Sequence, residues 1–327
     1  MLDKQITQRI YKSIFKKIKR MEVELFLCGG ASTPKQKSSR DNLREKIQGL
    51  KNLAVYYPED LFAGIIARKK TDLLTLERIL ADNSDVIMII CESPGSLAEL
   101  GAFVNNSDTC GKVVAFIQSK YKNDKSFINQ GPVEYLKKHS DRNVKVIYYN
   151  ADLDLTKKMA VKALNETYTF LEKSNVPYDL NNISGQVCFM MLLLYFFDTI
   201  KYEDLRVAVR EKYSIESSIS EDEDTGGVWR FDTIYTAAIK RLHCKKYLVN
   251  REDLKRYQLS KNGYNKVKDY LMGMDLNNME VRCIKSRDSS LTELENAKLR
   301  TVRDRYSHVD QIRLDVLRKS FYRHSLS

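Results

Sequence analysis

The run Val86-Ile87-Met88-Ile89-Ile90 constrains this chain more than any other feature: five apolar residues in succession, leading into Cys91-Glu92-Ser93-Pro94-Gly95-Ser96. A strand with one wet face alternates apolar and polar side chains, whereas an unbroken run is buried on both faces. Similar stretches occur at Val23–Cys28, running into Gly29-Gly30, at Leu53–Tyr57, running into Pro58-Glu59-Asp60, and at Lys112–Gln118 and Val144–Tyr149. Helical patterns over 42–49 and 71–80 lie between them. Strands alternating with helices predict an α/β domain, a Rossmann-like parallel sheet covered on both faces over roughly 21–150. Ligands of such sheets sit at the carboxyl ends of the strands.

Beyond this region the pattern becomes helical from Leu153 through Leu171, and Ser174-Asn175-Val176-Pro177 reads as a joint. Helices are expected at 187–200, 202–213 and 228–242, the last preceded by the acidic loop Glu221-Asp222-Glu223-Asp224. Two short strands, Lys246–Val249 and Arg256–Ser260, follow around a charged turn, and Lys261 opens another helix. Three helices and a hairpin, ending in Leu259-Ser260-Lys261-Asn262-Gly263, resemble an α+β winged helix-turn-helix domain. The expected division is an N-terminal helix at 1–20, an α/β domain at 21–173, a winged helix at 178–275 and a charged helical extension at 276–327. In the first segment Ile6, Ile10, Ile14 and Ile18 share one face suited to docking.

The net charge of +12 points to a polyanionic partner, because each neutralised phosphate releases counterions. Six cysteines stand singly and four histidines form no ligand-spaced pair, so neither a metal site nor a disulfide framework is expected, in keeping with a reducing cytoplasm. No apolar run reaches the roughly 18 residues that a membrane span needs, so a soluble protein is expected.

The segment from Cys91 to Phe103 is where chemistry belongs. Gly95 and Ser96 can offer backbone N–H groups at a helix start to a phosphate or ribose oxygen, and Glu99 lies one turn further in. Breaking a ribosyl bond develops an oxocarbenium-like centre that needs a carboxylate beneath the anomeric carbon, and Glu99 is the candidate. The alternative is an ordinary capping box in which Ser96 caps the helix and Glu99 answers it three residues on. Asp85 could bind a ligand or make a turn after Asn83-Ser84. Glu59 and Asp60 could hold ribose hydroxyls or cap a helix.

Phe26-Leu27-Cys28-Gly29-Gly30, Tyr57-Pro58-Glu59-Asp60-Leu61-Phe62 and Glu92-Ser93-Pro94-Gly95-Ser96 with Glu99-Leu100-Gly101-Ala102-Phe103 resemble the nucleoside deoxyribosyltransferase-like effectors of bacterial retrons. Ser126–Val133 adds a fourth such block. The resemblance implies that Glu99 is catalytic, that Gly29 and Gly30 line a nucleotide pocket, and that Ser93 stands near the substrate. It implies an antiphage effector held in check by a reverse transcriptase and its multicopy single-stranded DNA joined to RNA, acting on a nucleotide or NAD and needing no cofactor, with higher-order assembly open. Deoxyribosyltransferases carry an aspartate shortly before the nucleophile to help with the base; the matching stretch here offers Glu92 or Ser93, which favours glycosidic cleavage over base exchange.

A winged helix would place Arg230, Thr233, Lys240 and Arg241 in the major groove, and Arg251, Lys255 and Arg256 on phosphates. The same charges could instead form a solvated face, with the domain packing on protein. Two other readings stay open: a transcription regulator whose α/β domain only senses a nucleotide, and a phosphoribohydrolase similar to the lysine-decarboxylase-like family.

Overall fold

The structure, a computed structural model, describes residues 2–57, 60, 73–150, 153–174, 176–217, 225–251 and 255–272. Glu59, the acidic loop 221–224 and the extension 276–327 lie outside the described residues. The chain divides into two compact units: one is Met21–Asn175, and the other joins Met1–Arg20 to the chain from Val176 onward. Helix α1 (Lys4–Ser13) therefore belongs with the C-terminal part, not with the sheet that follows it in sequence.

In the first unit the order is β1 (Val23–Cys28), α2 (Ser39–Ile47), β2 (Leu53–Tyr56), α3 (Leu73–Asp82), β3 (Val86–Ile90), α4 (Pro94–Val104), β4 (Val113–Gln118), α5 (Glu134–His139), β5 (Val146–Tyr149) and α6 (Leu153–Ser174). The five strands are all parallel, in the order β2-β1-β3-β4-β5. Register is set by pairs such as Leu25 with Val86 and Ile87 with Val113. Parallel neighbours cannot be joined by a tight hairpin, so the links must cross a sheet face. Every residue of β1 and β3 is buried accordingly.

The second unit contains α1, α7 (Ile183–Phe197), β6 (Thr199–Lys201), α8 (Tyr202–Ser217), α9 (Thr225–Cys244), β7 (Leu248–Arg251), β8 (Arg256–Leu259) and α10 (Lys261–Met272). Its three strands form an antiparallel sheet in the order β6-β8-β7. The helix expected to reach residue 200 stops at Phe197. Asp198 turns the chain with φ 63° and ψ −64°, the geometry of a tight γ-turn, and Ile200 enters β6 instead. α7 is buried nearly all round, yet among the described residues no helix is long and apolar enough to cross a membrane.

The isoleucine stripe explains where α1 sits, although the helix expected over 1–20 ends at Ser13: Ile14 caps it, and Ile18 follows the short 3-10 turn Phe15–Lys17 in extended backbone. Ile6, Ile10, Ile14 and Ile18 are each at most 2% exposed, and Tyr11 meets Phe189 of α7 edge-on and Phe15 meets it at a tilt, at ring separations of 5.8 and 5.2 Å. At about 1.5–3 kcal/mol for each fully buried aliphatic side chain, this face secures the helix. A polar joint reinforces it: Glu216 accepts hydrogen bonds from Tyr11 Oη at 2.5 Å and the Leu180 N–H at 2.6 Å, and pairs with Lys16 Nζ at 2.5 Å.

Ile10→Ala leaves a cavity where no side chain can reach solvent, and should destabilise the second unit by about 2–4 kcal/mol. Hydrogen exchange should show protection lost across 183–197 and retained in β1 and β3. Equal loss in both regions would contradict the assignment of α1.

Candidate functional site

The strand order determines where a site can form. From β1 the chain goes outward to β2, then returns past β1 to β3 and continues the other way, so the connections leaving β1 and β3 diverge and open a crevice at their carboxyl ends. Gly29 lies at its edge with φ +151°; a Cβ there would meet Arg40 Cβ at 3.0 Å and Ile90 Cβ at 3.1 Å, so only glycine fits. Gly30 lies against Glu92.

Two of the expected ligands serve the helix end. Ser93 is the N-cap of α4 and its Oγ accepts the Ser96 N–H at 3.2 Å, while Ser96 Oγ accepts the Ser93 N–H at 3.0 Å and the Glu92 N–H at 3.2 Å. Ser96 is 1% exposed. The capping box therefore runs from Ser93 to Ser96, one turn earlier than the Ser96–Glu99 alternative, and Glu99 is not its acidic partner. Gly95 lies exposed in the first turn between them.

Glu99 is half-buried behind this cap, against the ends of β1 and β3. The Cys28 thiol hydrogen-bonds to it. Burial, and then the Glu99 charge, push the Cys28 thiol well above its usual range and the Cys91 thiol to about 12. Both cysteines stay protonated at neutral pH and are poor nucleophiles.

Glu92 has a different task. Its Oε2 accepts the Ser39 N–H at 3.0 Å and its Oε1 the Arg40 N–H at 3.2 Å. These are the first amides of α2, the positive end of the helix dipole, so a carboxylate of the chain itself occupies the anion seat there. Beside it a cavity of about 450 Å³ opens at the ends of β4 and β5, lined by Ser39, Asn42, Gln118, Lys120 and Tyr149 among others. Asp85 is not brought to the crevice. It lies at the amino end of β3, where Oδ2 accepts the Glu24 N–H at 2.9 Å, about 20 Å along the strand from Cys91. Its role is the turn-and-strand role, not the ligand role.

Sequence reasoning missed the wall built by α2. The Tyr57 ring lies between the guanidinium groups of Arg40 and Arg44, each 4.0 Å from its centre. Its hydroxyl donates to Asp41 Oδ1 at 2.7 Å, and Arg44 pairs with Asp60 at 2.6 Å. Burial raises the Asp41 carboxyl, but hydrogen bonds from Ser32 and Tyr57 and the Arg40 charge outweigh it and bring it to about 2. Tyr57-Pro58-Glu59-Asp60 was visible as a motif; its partners, 13 to 17 positions earlier, join it only when β2 pairs with β1.

In the second unit the expected nucleic-acid residues separate. Thr233 and Arg241 are 3% and 4% exposed and share an inward stripe of α9 with Ala237, so neither can read a groove. Arg230 and Lys240 are half-exposed and Lys255 is exposed. Arg256 donates to Thr199 Oγ1 at 3.2 Å across the β6–β8 pair, and the Arg251 side chain lies outside the described residues. The outer face of α9 also carries Asp232, paired with Arg206 at 2.6 Å. Among the described residues no group of three or more histidines, cysteines and carboxylates could hold a metal ion.

A family model described as STM3845 retron effector protein matches residues 36–242, more than half of the chain. The "Retron Ec86 putative ribosyltransferase/DNA-binding protein" of Escherichia coli is 33% identical over 211 residues, covering 62% of this chain and 68% of the relative. The "Retron Ec73 putative ribosyltransferase/DNA-binding protein" of the same organism is 30% identical over 132 residues, covering 38% and 41%.

Because the Asp41 carboxyl is held at about 2, below its ordinary 3.8, its contribution to stability is complete above about pH 4 and lost as pH falls through about 2. Asp41→Asn should therefore lower Tm at neutral pH, and its Tm should converge on that of the wild type across this window. A constant difference between the two proteins down to pH 2 would show that the ionised carboxylate is not the stabilising form.

Proposed function

Since this chain belongs to the retron effector family, we propose that its α/β unit cleaves or transfers an N-glycosidic ribosyl bond with Glu99 as the catalytic carboxylate. The observation that carries this reading is the placing of Glu99: at the crevice between β1 and β3, and outside the capping box that would otherwise account for it. The relatives' names, which include ribosyltransferase, point the same way.

As the C1′–N bond breaks, its electron pair leaves with the base and positive charge builds on the ribose. The Glu99 carboxylate either bonds to C1′ or stabilises that charge until water or another acceptor adds, releasing the enzyme. A neutral leaving base also needs a proton. Glu92, the nearest counterpart of the base-assisting aspartate, spends both oxygens on the α2 amides. That favours a base already positively charged in the substrate, such as the pyridinium of NAD, which departs neutral without protonation. The expectation from sequence that cleavage is better supported than base exchange rests on the same residue.

The second unit we read as a winged helix. Its order of helix, short strand, two helices and hairpin, with the first strand paired to the last, supports this, and Arg230, Lys240 and Lys255 are the residues through which it meets DNA. In the cell the effector acts with the retron's reverse transcriptase and its single-stranded DNA–RNA product.

The test is the full chain, alone and with those two components, incubated with NAD and with nucleoside monophosphates while the released base is measured. Nicotinamide release should exceed purine release, and Glu99→Gln should lower it roughly 10³-fold or more. Equal activity in the wild type and Glu99→Gln would leave the α/β unit as a nucleotide sensor.

A further inference from the structure

The segment Ser126–Val133 resembles the corresponding block of retron effectors, yet neither the crevice nor the second unit uses it. It carries the most exposed large apolar side chain among the described residues, Phe127, at 81%. This ring is not loose. Gly131, in the widened helical turn Asn129–Val133, lies beneath it, and a Cβ there would meet ring atoms at 3.3–3.6 Å. The preceding loop is held closed by Asn129 Nδ2, which donates to the Tyr121 and Asp124 carbonyls at 2.7 and 2.8 Å. One ring face is thus supported and the rest is presented to solvent.

A second flat surface stands near it. Tyr135, 42% exposed, stacks on His139 with ring centres 3.9 Å apart and planes at 18°. Phe127, Tyr135 and His139 border one groove of about 510 Å³, whose rim includes the amides of Asn105 and Gln130 and the ammonium of Lys138. A core residue would not be left so exposed, and a closed apolar pocket would not be edged by amides. Aromatic faces with amide and ammonium groups at their margin suit an unpaired nucleobase and its phosphate.

Lys138 and Glu134 both border the groove. Lys125 lies two residues before Phe127 in the chain and Lys137 next to Lys138 on α5, with Asp124 as the neighbouring acidic residue. Glu134 lies 3.8 and 3.6 Å from Lys137 and Lys138, but these are exposed pairs that contribute little and yield to a polyanion. The geometry points to a binding site for single-stranded nucleic acid on the α/β unit, in which Phe127 and the Tyr135–His139 pair stack bases and Lys125 and Lys138 hold the backbone. This site is separate from the winged helix and does not depend on the role of Glu99.

The full-length protein would be titrated with a fluorescein-labelled 20-nucleotide oligothymidylate and, separately, with a 20-base-pair duplex, with anisotropy as the readout. Phe127→Ala should weaken oligothymidylate binding roughly tenfold, the scale of one base–aromatic stack, and leave duplex binding unchanged. The double variant Lys125→Glu and Lys138→Glu should reduce the slope of log Kd against log salt by about 1.4, the share of two phosphate contacts on a single strand. Ultraviolet crosslinking of a bromouridine-substituted strand should label peptides within 121–139. Unchanged affinity in both variants would overturn the proposal. So would competition by thymidine monophosphate as effective as by the oligomer, which marks a mononucleotide site. A change of oligomeric state in Phe127→Ala without loss of strand affinity would mark a protein interface instead.

Discussion

Burial of β1 and β3 on both faces is the constraint from which the rest of the α/β unit follows. A strand with no wet face needs cover above and below, and parallel strands gain that cover from their own crossovers. Laying β2 outside β1 and β3 on the other side satisfies both requirements. It also forces the two connections apart, so the crevice is a by-product of covering the sheet. Glu92 then ties the exit of β3 to the start of α2, linking segments more than 50 residues apart in sequence through two amides. The carboxylate that the family resemblance would set to assist a leaving base is a structural clasp between two elements.

The two glutamates differ in what their position relative to a helix lets them meet. Glu92 precedes α4 and meets the first amides of a neighbouring helix, one at each carboxylate oxygen. Glu99 lies beyond the first turn of α4, where backbone amides are already paired and the cap has been completed by Ser93 and Ser96. Its surroundings are two thiols that burial keeps protonated. Its position, inside the helix and beyond the cap, is set by the side of α4 that faces the strand ends and not by the needs of the helix terminus.

The second unit obeys a different logic, since its core is a single helix. α7 is apolar on all sides, and a helix of that kind needs neighbours all round. α8, α9 and α10 cannot by themselves surround it with the small antiparallel sheet at one end, and the isoleucine face of α1, about 180 residues earlier, is drawn in. This is also why Thr233 and Arg241 disappear from the surface: α9 is packed on more than one side, and among its described residues Arg230, Asp232, Thr236 and Lys240 are left open to solvent.

The sequence by itself determined the elements. Apolar runs located all five parallel strands to within about two residues, because continuous burial leaves an unmistakable local pattern. The strand-to-helix junctions after β1 and β3, which hold Gly29, Gly30 and Glu99, were legible because such a junction has its own composition. Tertiary structure alone decided which side chains meet. The stacking of Tyr57 between Arg40 and Arg44, the capture of Glu92 by α2, the placing of Asp85 at the wrong end of its strand for a ligand, and the union of α1 with α7 all depend on strand order and helix phase. Those are long-range packing solutions, and a local pattern of residues carries no record of the partner it will find.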